Sequence, residues 1–461
     1  MKQFNQLAPQ MAKSTLIQPR TLKGFRDFLP ETMIPREALM QTAREVYRSY
    51  GFVPIETPAL EYSEILCGKG SEETDRQMFR FEDHGGRDVG MRFDLTVPLA
   101  RYVAQHSNDL GMPFKRYHIG PVWRGEKPQV GRYREFAQCD FDTIGTTSIA
   151  SDIESALVIF DLLRAIGFER FSVRVNNRKI LNGLLEKFDL SQHSTDVLRG
   201  IDKLEKIGAD AVKKEIIENT GIAESQTQQI LELAEIKGET ADVLNRLETI
   251  CNGNELAETG LAELSQLAQV VGEVCSDAKQ FQIDVSIARG LDYYTGTIFE
   301  TFLEDLPSIG SVCSGGRYDN LAELFTKQKL PGIGASLGLD RLHAAMQKLD
   351  MIPSSKTTAN VLIVQFSADQ ITHYFRLASQ LRAAGIAVEV YPEAKKLGNQ
   401  FKYADRRGFE AVIVAGEDEI KADKVQVKWM LDGSQHEIAI DDSAKQLIEW
   451  LQNRKRETQG Q

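Results

Sequence analysis

Apolar and polar positions along the chain fall into three textures. Over residues 21–190, short runs of period two alternate with single amphipathic helices, the pattern of a sheet with helices laid on it. A helix is predicted over 35–50 with Gly51 at its C-terminus, then a strand over 52–55 that stops before Pro58. A hairpin follows, with arms 78–82 and 89–95 about the polar turn DHGGRD. Two strand-like arms between Phe114 and Gly145 flank an arginine-rich loop. A helix over 151–166 ends at Gly167, and FSVRVNN continues as a strand.

Between 191 and 276 the period becomes three and four: Leu198, Ile201, Leu204 and Ile207, then Val243, Leu244, Leu247 and Ile250, then Leu261, Leu264, Leu267 and Val271. Aromatic residues are absent and charges fill the other faces, the texture of an inserted helical module. Its Lys203, Lys206, Lys213 and Lys214 either contact RNA or belong to solvated helix faces. The strand pattern returns at Phe281. GIGASLG at 332–338 is a small-residue strand that packs closely on a neighbour, not a dinucleotide fingerprint, because its spacing is wrong for GxGxxG. Beyond a linker at 353–358, strands VLIVQF, AVEVY and AVIVAG alternate with helices, predicting an α/β domain around a mostly parallel sheet. Its Lys395, Lys396, Lys402, Arg406 and Arg407 form a candidate RNA surface.

With 461 residues the chain exceeds one hydrophobic core, so two to four domains are expected. The net charge of −11 does not advertise nucleic-acid binding, and any RNA contact must use local basic patches. No run of eighteen apolar residues is present, so no membrane span is expected. The first twenty residues lack the apolar core of a secretory signal and read as a loose arm. Five cysteines without a CxxC pair or metal-like spacing point to a reduced, cytoplasmic protein.

The candidate chemistry is concentrated in three places. The loop at 124–134 holds Arg124, Lys127, Arg132, Arg134 and Glu126, and arginine forks match phosphate oxygens bidentately. The strand after it puts Gln138 and Asp142 on one face, a floor for a cationic small molecule beside a polyphosphate. The same residues would equally make an exposed hairpin with solvated charges. At 94–96, Asp94 and Thr96 either accept hydrogen bonds from an ammonium group or cap the helix that follows. In IARGLDYYTGTIFE, Arg289, Asp292, Tyr293 and Tyr294 surround Gly290, where backbone can approach a ligand and two tyrosines flank a flat ring. Core tyrosines beside a solvated arginine are the other reading. Arg341, near a helix N-terminus, suits a terminal phosphate. No Walker A, HExxH, GxSxG or heptad array competes.

FKRYHIGPVWRGEKPQVGRYREFAQCDFDTIG resembles motif 2 of the class II aminoacyl-tRNA synthetases, the helix-to-strand join before Pro58 resembles motif 1, and GIGASLGLDRLHAAM resembles motif 3. ARGLDYY and SVCSGGRYDNL resemble the two signatures of the histidyl-tRNA synthetases. The resemblance implies an α+β catalytic core with an antiparallel six- or seven-stranded sheet at 21–190 and 277–352, a helical insertion at 191–276 and an α/β anticodon-binding domain at 358–461, behind an arm at 1–20. It implies ATP-dependent activation of L-histidine to histidyl-adenylate and transfer to the 3′ end of tRNA(His), in a cytoplasmic homodimer with Mg²⁺ bridging the ATP phosphates. Transferred onto this sequence, Arg124 and Arg289 are the catalytic cations. Asp94, Leu95, Thr96 and Gln138 hold the histidine ammonium end, and Asp142, Tyr293 and Tyr294 the imidazole. Glu126 faces the adenine edge, Phe136 the adenine ring, and Arg132 and Arg341 the outer phosphates. Hydrogen-bonding both ring nitrogens would select histidine without an editing module. Two alternatives are a non-catalytic histidine-sensing paralogue, such as the regulatory subunit of ATP phosphoribosyltransferase, and an RNA-binding interaction protein. The intact Arg124, Glu126, Arg289 and Arg341 speak against the first, and the acidic balance against the second.

Overall fold

Strand pairing organises the larger part of the molecule. The computed structural model describes residues 16–67, 72–129, 131–275, 278–287, 293–352, 356–440 and 444–459. The chain forms two units, one of residues 1–27 and 39–351, the other of residues 28–38 and 352–461. The arm proposed for 1–20 lies mostly outside the described residues, as does the start of the linker at 353–358.

In the first unit the strands are β1 (Val53–Pro54), β2 (Leu60–Tyr62), β3 (Arg80–Glu82), β4 (Asp88–Met91), β5 (Phe114–Trp123), β6 (Glu135–Ile144), β7 (Phe171–Asn177), β8 (Phe281–Ile283), β9 (Thr297–Leu303), β10 (Cys313–Tyr318) and β11 (Gly332–Gly338). Eight of them form one sheet in the order β1-β5-β6-β11-β10-β9-β7-β8. Its inner pairings are antiparallel, but β1 joins β5 and β8 joins β7 in parallel. The six inner strands are the expected antiparallel sheet, and two short parallel edges raise the count to eight. The extra members have two and three residues, too short to carry a period, and a parallel edge is chosen by distant segments. The smaller sheet β2-β4-β3 contains the predicted hairpin, except that 92–95 leaves the strand to start a helix.

The long pair β5/β6 stays in register from Phe114 opposite Ile144 to Trp123 opposite Glu135. β6 is covered by β11 on its other side. Small residues make that packing possible. A Cβ on Gly315 in β10 would lie 2.2 Å from the Gly334 carbonyl, and one on Gly334 would lie 2.2 Å from Asp142 Oδ1. The helix Ile149–Ile166 buries Ala156, Ile159, Leu162 and Leu163, with Ser148 Oγ accepting from Ala150 N and Gly167 closing it at φ 102°.

From Ser194 to Val274 the described residues form helices without a strand. Val243, Leu247, Leu264, Leu267 and Val271 are buried, whereas Ile207, at the end of a one-turn helix, is 47% exposed. Lys203, Lys206, Lys213 and Lys214 each sit within ion-pair range of a carboxylate, that of Glu215, Asp202, Glu224 and Glu218 in turn, which favours solvated helix faces over an RNA surface.

In the second unit β12 (Val361–Ile363), β13 (Val388–Val390), β14 (Ala411–Val414), β15 (Lys424–Trp429) and β16 (Gln435–Ala439) form a sheet in the order β13-β12-β14-β15-β16. β12 pairs in parallel with β13 and β14, but β15 and β16 run antiparallel. The sheet is therefore mixed rather than mostly parallel, because the short helix Glu417–Lys421 returns the chain on the same edge.

Candidate active site

The register of the large sheet sets the floor of a cavity. Asp142 stands opposite Arg116 of β5 and Gly334 of β11, and Asp140 stands opposite Ser336. Gln138, Asp140 and Asp142 share the face that lines the cavity, as the period of a strand requires. Asp94, Thr96, Arg124, Tyr293 and Tyr294 complete its wall, so residues from four separate sequence segments converge.

Asp94 serves both readings offered for it. Its Oδ1 accepts from Thr96 N at 3.0 Å and Val97 N at 2.9 Å, capping the helix Thr96–His106, while the same carboxylate lines the cavity. Leu95 is fully buried in the core and does not line the cavity. The Arg124 guanidinium lies 4.3 Å from the Phe93 ring and 5.1 Å from the Phe136 ring, and Nε donates to Phe93 O. Burial lowers its pKa, yet a guanidinium starts so high that it remains charged.

Gln138 Nε2 donates to Ser336 Oγ at 2.7 Å, and its buried Oε1 has no hydrogen-bond partner among the described residues. A ligand N–H would satisfy it. The Asp142 carboxylate receives the Tyr318 hydroxyl at Oδ1 and the Arg116 guanidinium at 2.5 Å on Oδ2. Burial raises the Asp142 carboxyl above its ordinary value, and Arg116 and Tyr318 oppose that rise. Burial also pushes Asp140 up to about 7, with Arg116 again opposing. His118, beside Arg116 and Arg92, is pushed down to about 3 by burial and by those two cations, so it is neutral. The Tyr293 and Tyr294 rings lie 4.6 Å apart and both hydroxyls stay protonated because burial raises them.

Apart from Arg124, the residues assigned to ATP lie off this cavity. Glu126, Arg132, Phe136 and Arg341 do not line it. Phe136 meets the common set through Arg124, and Arg341, in the first turn of the helix Leu339–Lys348, donates to Ser311 O. Gly131 packs against Arg341, since a Cβ there would sit 3.7 Å from the Arg341 Cα. The loop and the start of that helix are thus adjacent. Gln129 N and Arg132 N each donate to the other's carbonyl, and the Arg132 side chain is exposed. Arg134 folds back onto Glu126 O and supports the loop. Arg289, with Gly290 and Asp292, lies outside the described residues.

Sequence reasoning missed Arg116, Tyr318, Ser336 and Phe93. Arg116 carried little signal, because β5 also holds Lys115 and His118 and only burial sets Arg116 apart. Chemically the arrangement offers acceptors for an ammonium, the Arg124 cation for an anion and a polar floor.

Comparison with known proteins gives one consistent outcome. The family model described as histidyl-tRNA synthetase matches residues 24–342, and that described as anticodon binding domain matches residues 360–450. A histidine–tRNA ligase of Rhodopirellula baltica is 58% identical over 440 residues, covering 95% of this chain and 99% of its own. The crystal structure of histidyl-tRNA synthetase from Nostoc sp. PCC 7120 superposes with a TM-score of 0.86 at 37% identity, over 95% of this chain and all of its own. A Bacillus halodurans structure titled as an ATP phosphoribosyltransferase regulatory subunit/histidyl-tRNA synthetase shares the fold at a TM-score of 0.73 and 23% identity, over 88% of this chain and 99% of its own.

Proposed function

Because the chain belongs to the histidyl-tRNA synthetase family and is a histidine–tRNA ligase, we propose that the cavity over β6 binds histidine and that the adjoining arginine loop binds ATP. The observation that carries this reading is the convergence of Asp94, Arg124, Gln138 and Asp142 on one cavity. Histidine's ammonium meets Asp94, Thr96 and the unpaired oxygen of Gln138. Its carboxylate points to Arg124, and its ring lies among Asp142, Tyr293 and Tyr294.

Activation joins two anions, a carboxylate and an α-phosphate, so cations must cancel charge and align attack opposite the leaving pyrophosphate. Arg124 does so from β5's end, with Arg289 as the second cation. Phe136 stacks on adenine, Glu126 reads its edge, and Arg132 and Arg341 draw the outer phosphates. No side chain serves as nucleophile. The 3′-hydroxyl of tRNA(His) then attacks the adenylate, with a phosphate oxygen as base. Mg²⁺ binds mainly through phosphate oxygens and one or two carboxylates. Glu135, half-buried beside the loop, fits that donor set and would complete its shell. The ion would supply charge neutralisation at the phosphates.

A homodimer in the cytoplasm fits this reading. The edge strand β1 of the large sheet and the edge strand β2 of the smaller one expose Val53, Leu60 and Tyr62, apolar positions that a second copy would cover. The histidine-sensing alternative gains no support, since the ligase relative is 58% identical over nearly the whole chain and Arg124, Glu126 and Arg341 are present.

The test is amino-acid-dependent ATP–pyrophosphate exchange across the twenty amino acids, with the wild-type chain and Arg124→Ala. Exchange with histidine alone, lost in the variant, is expected. Histidine binding without exchange would overturn the assignment.

A further inference from the structure

We infer that Arg116, with Tyr318, is a specificity-determining positioning residue: it holds Asp142 as an ionised acceptor for the histidine ring N–H. The inference rests on the proposed placement of the ring beside Asp142.

Arg116 is fully buried, and its side chain does not line the cavity. Its Nη2 forms an ion pair with Asp142 Oδ2 at 2.5 Å, outside hydrogen-bond geometry, while Nε and Nη1 likewise have no hydrogen-bond partner among the described residues. A buried guanidinium with two nitrogens unpaired is a poor source of stability, because its desolvation is only partly offset. Its effect on its neighbours is large, however. Asp142 is faced by Arg116 from β5, Tyr318 from β10, Asp140 from its own strand, and Asp94 and Tyr294 across the cavity. Of these only Arg116 is a cation, so without it two buried carboxylates on β6 would compete for a proton.

The protonation state decides what the site reads. An ionised carboxylate is an acceptor only, and each oxygen has room for a second donor beyond Tyr318 or Arg116. A protonated Asp142 would keep only a neutral oxygen for the ring N–H, a weaker acceptor than a carboxylate. Tyr293 and Tyr294, both protonated, supply the donors for the other ring nitrogen. The pocket then recognises neutral imidazole, one donor and one acceptor. Arg116 turns a sheet position into that choice.

The experiment is pyrophosphate exchange by the full chain with histidine and with thiazolylalanine, whose ring keeps an acceptor nitrogen but lacks an N–H. Wild type, Arg116→Met and Tyr318→Phe are compared. Arg116→Met is expected to narrow the histidine to thiazolylalanine ratio of kcat/KM by about tenfold or more, the scale of one charged hydrogen bond. KM for ATP stays unchanged, and the acid limb of kcat/KM for histidine moves to higher pH. Equal losses for both amino acids with an unmoved acid limb would overturn the inference and leave a structural role. If Arg116→Met does not fold, Tyr318→Phe decides, since it removes one hydroxyl: a narrowed ratio supports the inference and an unchanged one overturns it. Absence of histidine exchange by the wild-type chain would instead overturn the site assignment itself.

Discussion

Asp340 Oδ2 accepts a 2.8 Å hydrogen bond from Ala137 N, tying the first turn of the helix Leu339–Lys348 to β6. Its Oδ1 receives Arg26 at 2.5 Å, and Arg26 also lies over the Tyr133 ring. One buried carboxylate therefore joins the N-terminal segment, the strand that carries Gln138 and the helix that carries Arg341. Asp340→Ala is expected to cost about 2 kcal/mol, the penalty of leaving the buried Ala137 N–H without its acceptor and a half-buried Arg26 without this carboxylate. Urea unfolding measures that loss, and a raised KM for ATP with little change in KM for histidine would show that Arg341 has shifted.

Gly334 faces Asp142 with no room for a methyl group. A Cβ there would come within 2.2 Å of both Asp142 Oδ1 and the Phe141 carbonyl. Gly334→Ala should push the carboxylate out of place, destabilise the core by about 1–3 kcal/mol and raise KM for histidine far more than KM for ATP. Equal changes in both constants would show that the strain spreads through the sheet.

Arg317 is buried against Asp152 and also donates to the carbonyls of Thr146 and Ser148. Removing it in Arg317→Met leaves the buried Asp152 without its cation and with Thr297 as its remaining side-chain partner, with an expected loss of about 3 kcal/mol. The double variant Arg317→Met/Asp152→Leu should recover much of that loss, because the uncompensated charge goes too. Thermal unfolding of the three proteins distinguishes the outcomes.

Asp140 and His118 face each other across β5 and β6 and titrate in opposite senses. Asp140 is raised from 3.8 to about 7 in the folded state. Between those values the native chain keeps a proton that the unfolded chain has released, so its contribution falls as pH rises across the window. His118 is lowered from 6.5 to about 3, so its contribution is complete above 6.5 and is lost as pH falls. Asp140→Asn should therefore gain stability relative to wild type between pH 5 and 8, by on the order of 2 kcal/mol. A flat difference across that range would show that Asp140 is ionised throughout.

Much of the molecule was legible in the chain itself. Local chemistry marked the strands β5 and β6, the helix capped by Ser148 and closed by Gly167, and the helices between 194 and 274, because each is set by a period and by residues at its ends. The candidate residues Asp94, Arg124, Gln138, Asp142, Tyr293 and Tyr294 were legible as residue types suited to an ammonium, a phosphate and a flat ring. Tertiary structure decided their convergence, since segments near 94, 124, 140 and 293 meet only through strand order. It also decided the parallel edges formed by β1 and β8, whose partners are distant in sequence. Arg116 and Tyr318 became partners of Asp142 in the same way, because a strand's own sequence states which face a side chain takes but not which neighbour stands across the ladder.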